Sequence, residues 1–291
     1  MLLPRICKII GRILWFPALV LAAMVQLRHY VIPFLDFHKP AGRVSIFVDR
    51  GYDYSDEVTT TLFVLTLVFL AFGKRKDENA LISKIRQYAF YWAASITWAT
   101  TAMYFILMNF FDFIAPSRLF DLFVILGNLF IVYNFLVPII VFFPVFWYLR
   151  STIKHGDQLK PVYLVRSPAI NILGKCATLL FMLVGIITGL FFTSNNSYPV
   201  IFTLFPLVIA LWVCAKEPHE DKALFATRLN AVQLSIFVHY LLFILVYWVV
   251  YGWDYADVLG CSVVSSQLIF LVVFFWMRYK APKMVTEDSV E

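Results

Sequence analysis

The sequence predicts an all-α integral membrane protein of about eight transmembrane helices, arranged as two parallel four-helix repeats. Three observations predict it. Hydrophobic residues fill 62% of the 291 positions and charged residues only 14%, with a mean hydropathy of +0.80. A soluble domain instead carries about 25% charged residues. The charges are bunched between apolar runs, each near the roughly 20 residues that cross a bilayer. The landmarks flanking those runs also recur, in the same order, in the second half of the chain.

The apolar runs fall at 13–34, 58–73, 88–111, 119–149, 169–192, 198–215, 229–252 and 258–277. The first follows Arg5, Lys8 and Arg12 and has the form of a secretory signal, with Ala22-Ala23 near a cleavage point. Its counterpart at 169–192 argues that it is retained as a span. The second is short, as a re-entrant segment would be, unless Ser55 to Thr61 extend it into a full span. The fourth is longer than a bilayer needs. Pro138 and Pro144 are expected to kink it, because each removes a backbone donor and crowds the preceding turn. Thirty Phe, fifteen Tyr and eight Trp suit lipid-facing surfaces and interfacial belts.

Orientation follows from Lys and Arg, which concentrate in cytoplasmic loops. With the N-terminus inside, the inner segments hold Arg5, Lys8 and Arg12, then Lys74, Arg75, Lys76, Lys84 and Arg86. Arg150, Lys154, Lys160, Arg166 and Lys175 follow, then Lys216, Lys222 and Arg228, and finally Arg278, Lys280 and Lys283. The outer side keeps Arg28, Lys39, Arg43, Arg50 and Arg118. Both termini are therefore expected in the cytoplasm. The formal charge of +6 is read as loops held near anionic lipid rather than as a nucleic-acid surface.

The repeat rests on paired landmarks. Ile9-Ile10-Gly11-Arg12 matches Ile172-Leu173-Gly174-Lys175, and Glu78, Ile82, Arg86 and Ala89 match Glu220, Leu224, Arg228 and Ala231. Asp112-Phe113 matches Asp254-Tyr255, and Arg150 matches Arg278. The expected division is residues 1–155 and 156–291. A unit with an even number of spans starts and ends on one side, so two copies run parallel about an axis along the membrane normal.

Leu2-Leu3-Pro4 through Pro17-Ala18-Leu19, then Phe72-Gly73-Lys74 with Asp77-Glu78, Ile82 and Arg86, resemble a family of uncharacterised bacterial inner-membrane proteins. Those proteins share a similar opening and a similar Lys…Asp-Glu…Ile…Arg segment before a span. Asn128-Leu129-Phe130 resembles a further stretch of the same family. The resemblance covers about the first 150 residues and is weaker in the second copy, which has Pro218 and His219 where the acidic pair begins. It implies a multi-pass protein of the bacterial inner membrane, and no particular activity.

Among candidate functional residues, Glu78 and Arg86, repeated as Glu220 and Arg228, lie at helical spacing and read as a stripe at the inner ends of spans three and seven. As a functional feature they would dock a cytoplasmic protein partner. As a structural one they complement a helix dipole and anchor to headgroups. His239 is the strongly ionisable residue near the centre of a span, a candidate for a proton path or substrate site. A hydrogen bond to a neighbouring helix is its plainer role, as it is for Gln233 and Gln267. Asn109, Asp112, Arg118, Asp121, Asn128 and Asn134 gather around the outer ends of spans three and four, and Asp112 with Arg118 suits an ion pair closing a short loop. The outer loop at 35–57 is much longer than its counterpart at 193–197, which suits a lid, a partner surface or an interfacial segment held by aromatics.

Cys7, Cys176, Cys214 and Cys261 have no metal-ligand spacing, and neither a disulfide nor a zinc site is expected. The sequence contains none of the phosphate-loop, dinucleotide, nucleophile-elbow, zinc-protease or haem motifs, so no cofactor is expected. The expected partners are the lipid bilayer and a cytoplasmic protein, and homo-oligomerisation is compatible with both. Together these features favour a non-enzymatic regulator or scaffold. A small secondary transporter is the alternative, and an intramembrane lipid-modifying enzyme the third class.

Overall fold

A backbone in lipid has no water to bond, so it must satisfy its polar groups within each segment. The chain does so with helices. The structure, a computed structural model, describes residues 2–28, 30–32, 35–37, 52–53, 55–111, 134–153, 161, 163–191, 198–249 and 253–280. Among these, the helices are α1 (Arg5–Arg28), α2 (Ser55–Phe72), α3 (Ala80–Phe111), α4 (Val137–Thr152), α5 (Pro168–Phe191), α6 (Tyr198–Cys214), α7 (Lys222–Val249) and α8 (Trp253–Lys280). A 3-10 turn, Asn134–Leu136, leads into α4. The all-α expectation has one exception among the described residues, a two-residue antiparallel pair joining Asp36–Phe37 to Tyr52–Asp53.

Among the described residues, four stretches are long and apolar enough to cross a membrane: Arg5–Val25, Asn134–Thr152, Pro168–Ile187 and Lys222–Trp248. Their surroundings differ. Only 11% of the α1 window and 17% of the α5 window is buried, against 56% for α7. The first two therefore present apolar faces outward, as lipid-facing helices do, and α7 is packed by protein.

Packing divides the chain into two compact units, Met1–Glu78 with Tyr240–Tyr251, and Asn79–His239 with Gly252–Glu291. In the first, α1 lies along α2. Gly11 permits the approach: a Cβ there would meet Leu70 and Phe69 at 3.1 Å. The hairpin is closed by a short parallel bridge in which Leu3 N donates to Phe72 O and Lys74 N to Leu3 O, each at 3.0 Å. Lys8 Nζ donates to Leu70 O at 2.9 Å, satisfying a carbonyl in the last turn of α2. The end of α7 also packs here, with Trp248 Nε1 donating to Thr61 Oγ1 at 2.9 Å and Tyr247 Oη to Thr60 Oγ1 at 3.3 Å.

In the second unit α3 packs on α4 and α6, and α5 on α6. Phe90 stacks on Phe142 with centroids 4.1 Å apart, and Trp98 leans on Phe270 at 5.4 Å. The α5–α6 hairpin repeats the device of the first. Val165 N donates to Cys214 O at 3.3 Å and Lys216 N to Val165 O at 2.9 Å. Asn171 Nδ2 donates to Trp212 O at 2.9 Å, and Gly174 lies against the backbone of Trp212. Asn171 and Gly174 stand 163 positions after Lys8 and Gly11, and Trp212 stands 142 after Leu70.

Pro138 sits in the first turn of α4, directly after the 3-10 turn. A proline there loses nothing, because the first helical N–H groups have no intrahelical partner. Glu78 and Glu220 lie before their helices, not in a first turn, since the caps are Asn79 and Asp221. Asn79 Oδ1 accepts from Ile82 N at 2.8 Å and Asp221 Oδ1 from Leu224 N at 2.7 Å, the geometry that side-chain caps favour. Asn134, expected in an outer polar cluster, is 4% exposed and turned inward. Asp112, Arg118, Asp121 and Asn128 lie outside the described residues, as does most of the 35–57 loop.

Candidate functional site

The second unit encloses polar groups at two levels. The first is the turn between α6 and α7. Its chain reverses through Pro218 and His219, and His219 adopts φ 61, a left-handed conformation that histidine tolerates better than most residues. The turn brings Glu220 back so that Oε2 accepts from Glu217 N at 2.8 Å. The same carboxylate takes two bonds from Arg228, Nε to Oε1 at 2.8 Å and Nη2 to Oε2 at 2.9 Å. Arg228 Nη1 donates to Val213 O at 2.9 Å, and its guanidinium stands 5.4 Å from the centre of the Phe274 ring. One arginine thus ties the end of α6, the turn, α7 and α8.

Glu217 forms a second knot, with Oε1 accepting from Lys175 Nζ at 2.9 Å and Oε2 from Arg278 Nη1 at 3.0 Å. Tyr163, edge-on to Phe225 at 5.2 Å, has its phenol pushed up to about 12 by burial first, with the Glu220 carboxylate adding to the rise. It therefore stays neutral beside the ion pair.

These contacts turn most of the stripe expected at the inner helix ends inward. Arg228 is 1% exposed and Glu220 8%, and Arg86, the counterpart of Arg228, is also 1% exposed. Glu78 is half-buried and accepts from Arg75 N at 3.1 Å. The arginines sit too deep to offer a docking surface. For Arg228 the physical reason is that a guanidinium with a bidentate carboxylate and a backbone carbonyl can be enclosed, whereas an unpaired one could not.

The second level lies along α8, where Ser262, Ser265 and Ser266 occupy one face at helical spacing. Each receives a side chain from a different element. Asn134 Nδ2 donates to Ser262 Oγ at 3.3 Å, Trp98 Nε1 to Ser266 Oγ at 3.0 Å, and His239 Nδ1 lies 3.1 Å from Ser265 Oγ. His239 is 3% exposed and Trp98 2%. The neighbouring Gln267 is wholly enclosed, and among the described residues neither its amide oxygen nor its nitrogen has a partner.

Of the candidates read from sequence, His239 belongs to this interior set, and Glu220 with Arg228 to the turn. The serines were missed. Their signal was present as three hydroxyls at i, i+3 and i+4 inside an otherwise apolar run, a spacing that small polar helix contacts share. Among the described residues no cluster of His, Cys, Asp and Glu is arranged to hold a metal, and Cys7, Cys176 and Cys214 are free thiols. Comparison with protein families, with curated proteins and with solved structures finds no match.

Proposed function

We propose that the chain is a small secondary transporter of the bacterial inner membrane, with eight spans in two parallel repeats and both termini in the cytoplasm. The observation that carries the reading is Gln267: a fully enclosed amide with both polar atoms unpartnered among the described residues, beside a serine face that engages His239, Trp98 and Asn134. Leaving a buried polar atom unsatisfied costs about 1–3 kcal/mol. A helix that only had to pack would carry an apolar residue there. A guest offering both a donor and an acceptor would recover that cost, and a small polar solute has that chemistry.

The parallel repeat is supported by the hairpins, whose bridges, carbonyl contacts and helix caps recur at corresponding residues. The bacterial membrane and its orientation draw support from the resemblance of the opening residues and from the Lys and Arg distribution. The test is uptake into proteoliposomes holding a pH-sensitive dye, with small polar solutes added in turn under an imposed proton gradient. Solute-driven proton flux that Gln267→Leu and His239→Ala abolish supports the reading. Its absence for every class of solute, with the protein correctly inserted, sinks it.

The scaffold reading keeps one observation. Lys76, Asp77, His219, Asp221 and Lys222 remain exposed around the two turns. Crosslinking from native membranes tests it: a protein captured there and lost on Asp77→Ala with Asp221→Ala favours a docking role carried by these residues.

A further inference from the structure

The two hairpins share a plan but not a charge. In the α5–α6 hairpin, Glu217 gathers Lys175 and Arg278. The residue at the same place in the α1–α2 hairpin is Arg75, and the residue matching Lys175 is Arg12. The carboxylate at the hub has become a guanidinium, which turns aside to Asp77 at 2.9 Å. Arg5, Arg12, Lys74 and Lys76 are all exposed, and among the described residues none of them is in an ion pair. Lys175, from the position matching Arg12, reaches Glu217 at 2.9 Å. An arginine side chain, one atom longer in reach, spans the same gap toward residue 75. The first hairpin therefore has the cations of the second without a carboxylate at the position matching Glu217.

The surface beside these cations is apolar. On α1, Ile6, Ile9 and Ile13 are 63%, 46% and 66% exposed. A phosphate carried on acyl chains fits both halves of this surface, whereas a free phosphate fits only the cations. We propose that the end of the α1–α2 hairpin, where Leu3 bridges Gly73, binds an anionic phospholipid. Its phosphate is held by Arg12, Lys74 and Lys76, in the role that Glu217 fills in the second hairpin, and its chains cover the isoleucine face. The inference rests on the hairpin geometry and is independent of the transport reading.

The test uses the full chain in phosphatidylcholine nanodiscs doped with spin-labelled phosphatidylglycerol, reading the motionally restricted fraction, with spin-labelled phosphatidylcholine as reference. The wild type is expected to restrict phosphatidylglycerol preferentially. Arg12→Gln with Lys76→Gln should weaken that preference by about fivefold or more, from the strength of basic contacts to anionic lipid. Arg75→Glu should weaken it too by restoring an internal carboxylate, with the melting temperature held or raised, which separates lipid loss from misfolding. Arg166→Gln with Lys222→Gln, exposed cations that flank the second hairpin, should leave it unchanged. The proposal is overturned if phosphatidylglycerol is not preferred, or if the two double variants lose equally. Release of the lipid by millimolar inorganic phosphate would overturn it as well, since the site would then serve a soluble anion.

Discussion

Arg228 and Glu220 face each other across the start of α7 with two parallel bonds, at 2.8 and 2.9 Å, in a position closed to solvent on both sides. Removing one partner leaves the other as an uncompensated buried charge. Arg228→Ala and Glu220→Ala should each destabilise by about 3–5 kcal/mol, read by denaturant unfolding in detergent. Arg228→Met with Glu220→Leu should restore much of that loss, because it removes both charges. A double variant as unstable as the worse single one would show that the pair is needed for more than mutual neutralisation.

Glu217 makes two ion pairs of unequal enclosure. Arg278 is 50% exposed in its side chain and Lys175 28%, while Glu217 is 4% exposed. Arg278→Gln should therefore cost under about 1 kcal/mol, as half-exposed pairs do. Glu217→Gln should cost more than either cation's removal, since it unties both. Equal effects for all three would count against this ranking.

The α5–α6 approach is set by a glycine. A Cβ on Gly174 would fall 2.5 Å from Trp212 N, a backbone atom that a rotamer change cannot move. Gly174→Ala should destabilise by about 1–3 kcal/mol through overpacking. Gly185, on the same helix, has nothing within 4 Å of the corresponding position. Gly185→Ala should be neutral, or stabilising by up to about 1 kcal/mol from helix propensity. The paired melting curves check both directions in one experiment.

Gln267 separates function from stability. Replacing its unpartnered amide with an apolar side chain of similar size should raise stability by about 1–3 kcal/mol. In the transport reading the same Gln267→Leu variant loses solute-driven flux. A variant both more stable and fully active would mean that the amide is a packing defect rather than a binding group.

The sequence by itself determined the helical class, because apolar runs of bilayer length are a matter of local spacing. Helix caps at Asn79 and Asp221 were also within its reach, since capping is a short-range effect. What only the tertiary structure decided is how the elements exchange partners. The helix α3 of the first half packs on α6 of the second, and the end of α7 bonds to Thr60 and Thr61 of α2. Periodicity within one helix carries no record of which helix its face will meet, so the inward turn of Arg228 and the contacts of His239, Trp98 and Asn134 with α8 could not be read from spacing. They depend on distances set by packing between residues far apart in the chain, 168 positions in the case of Trp98 and Ser266.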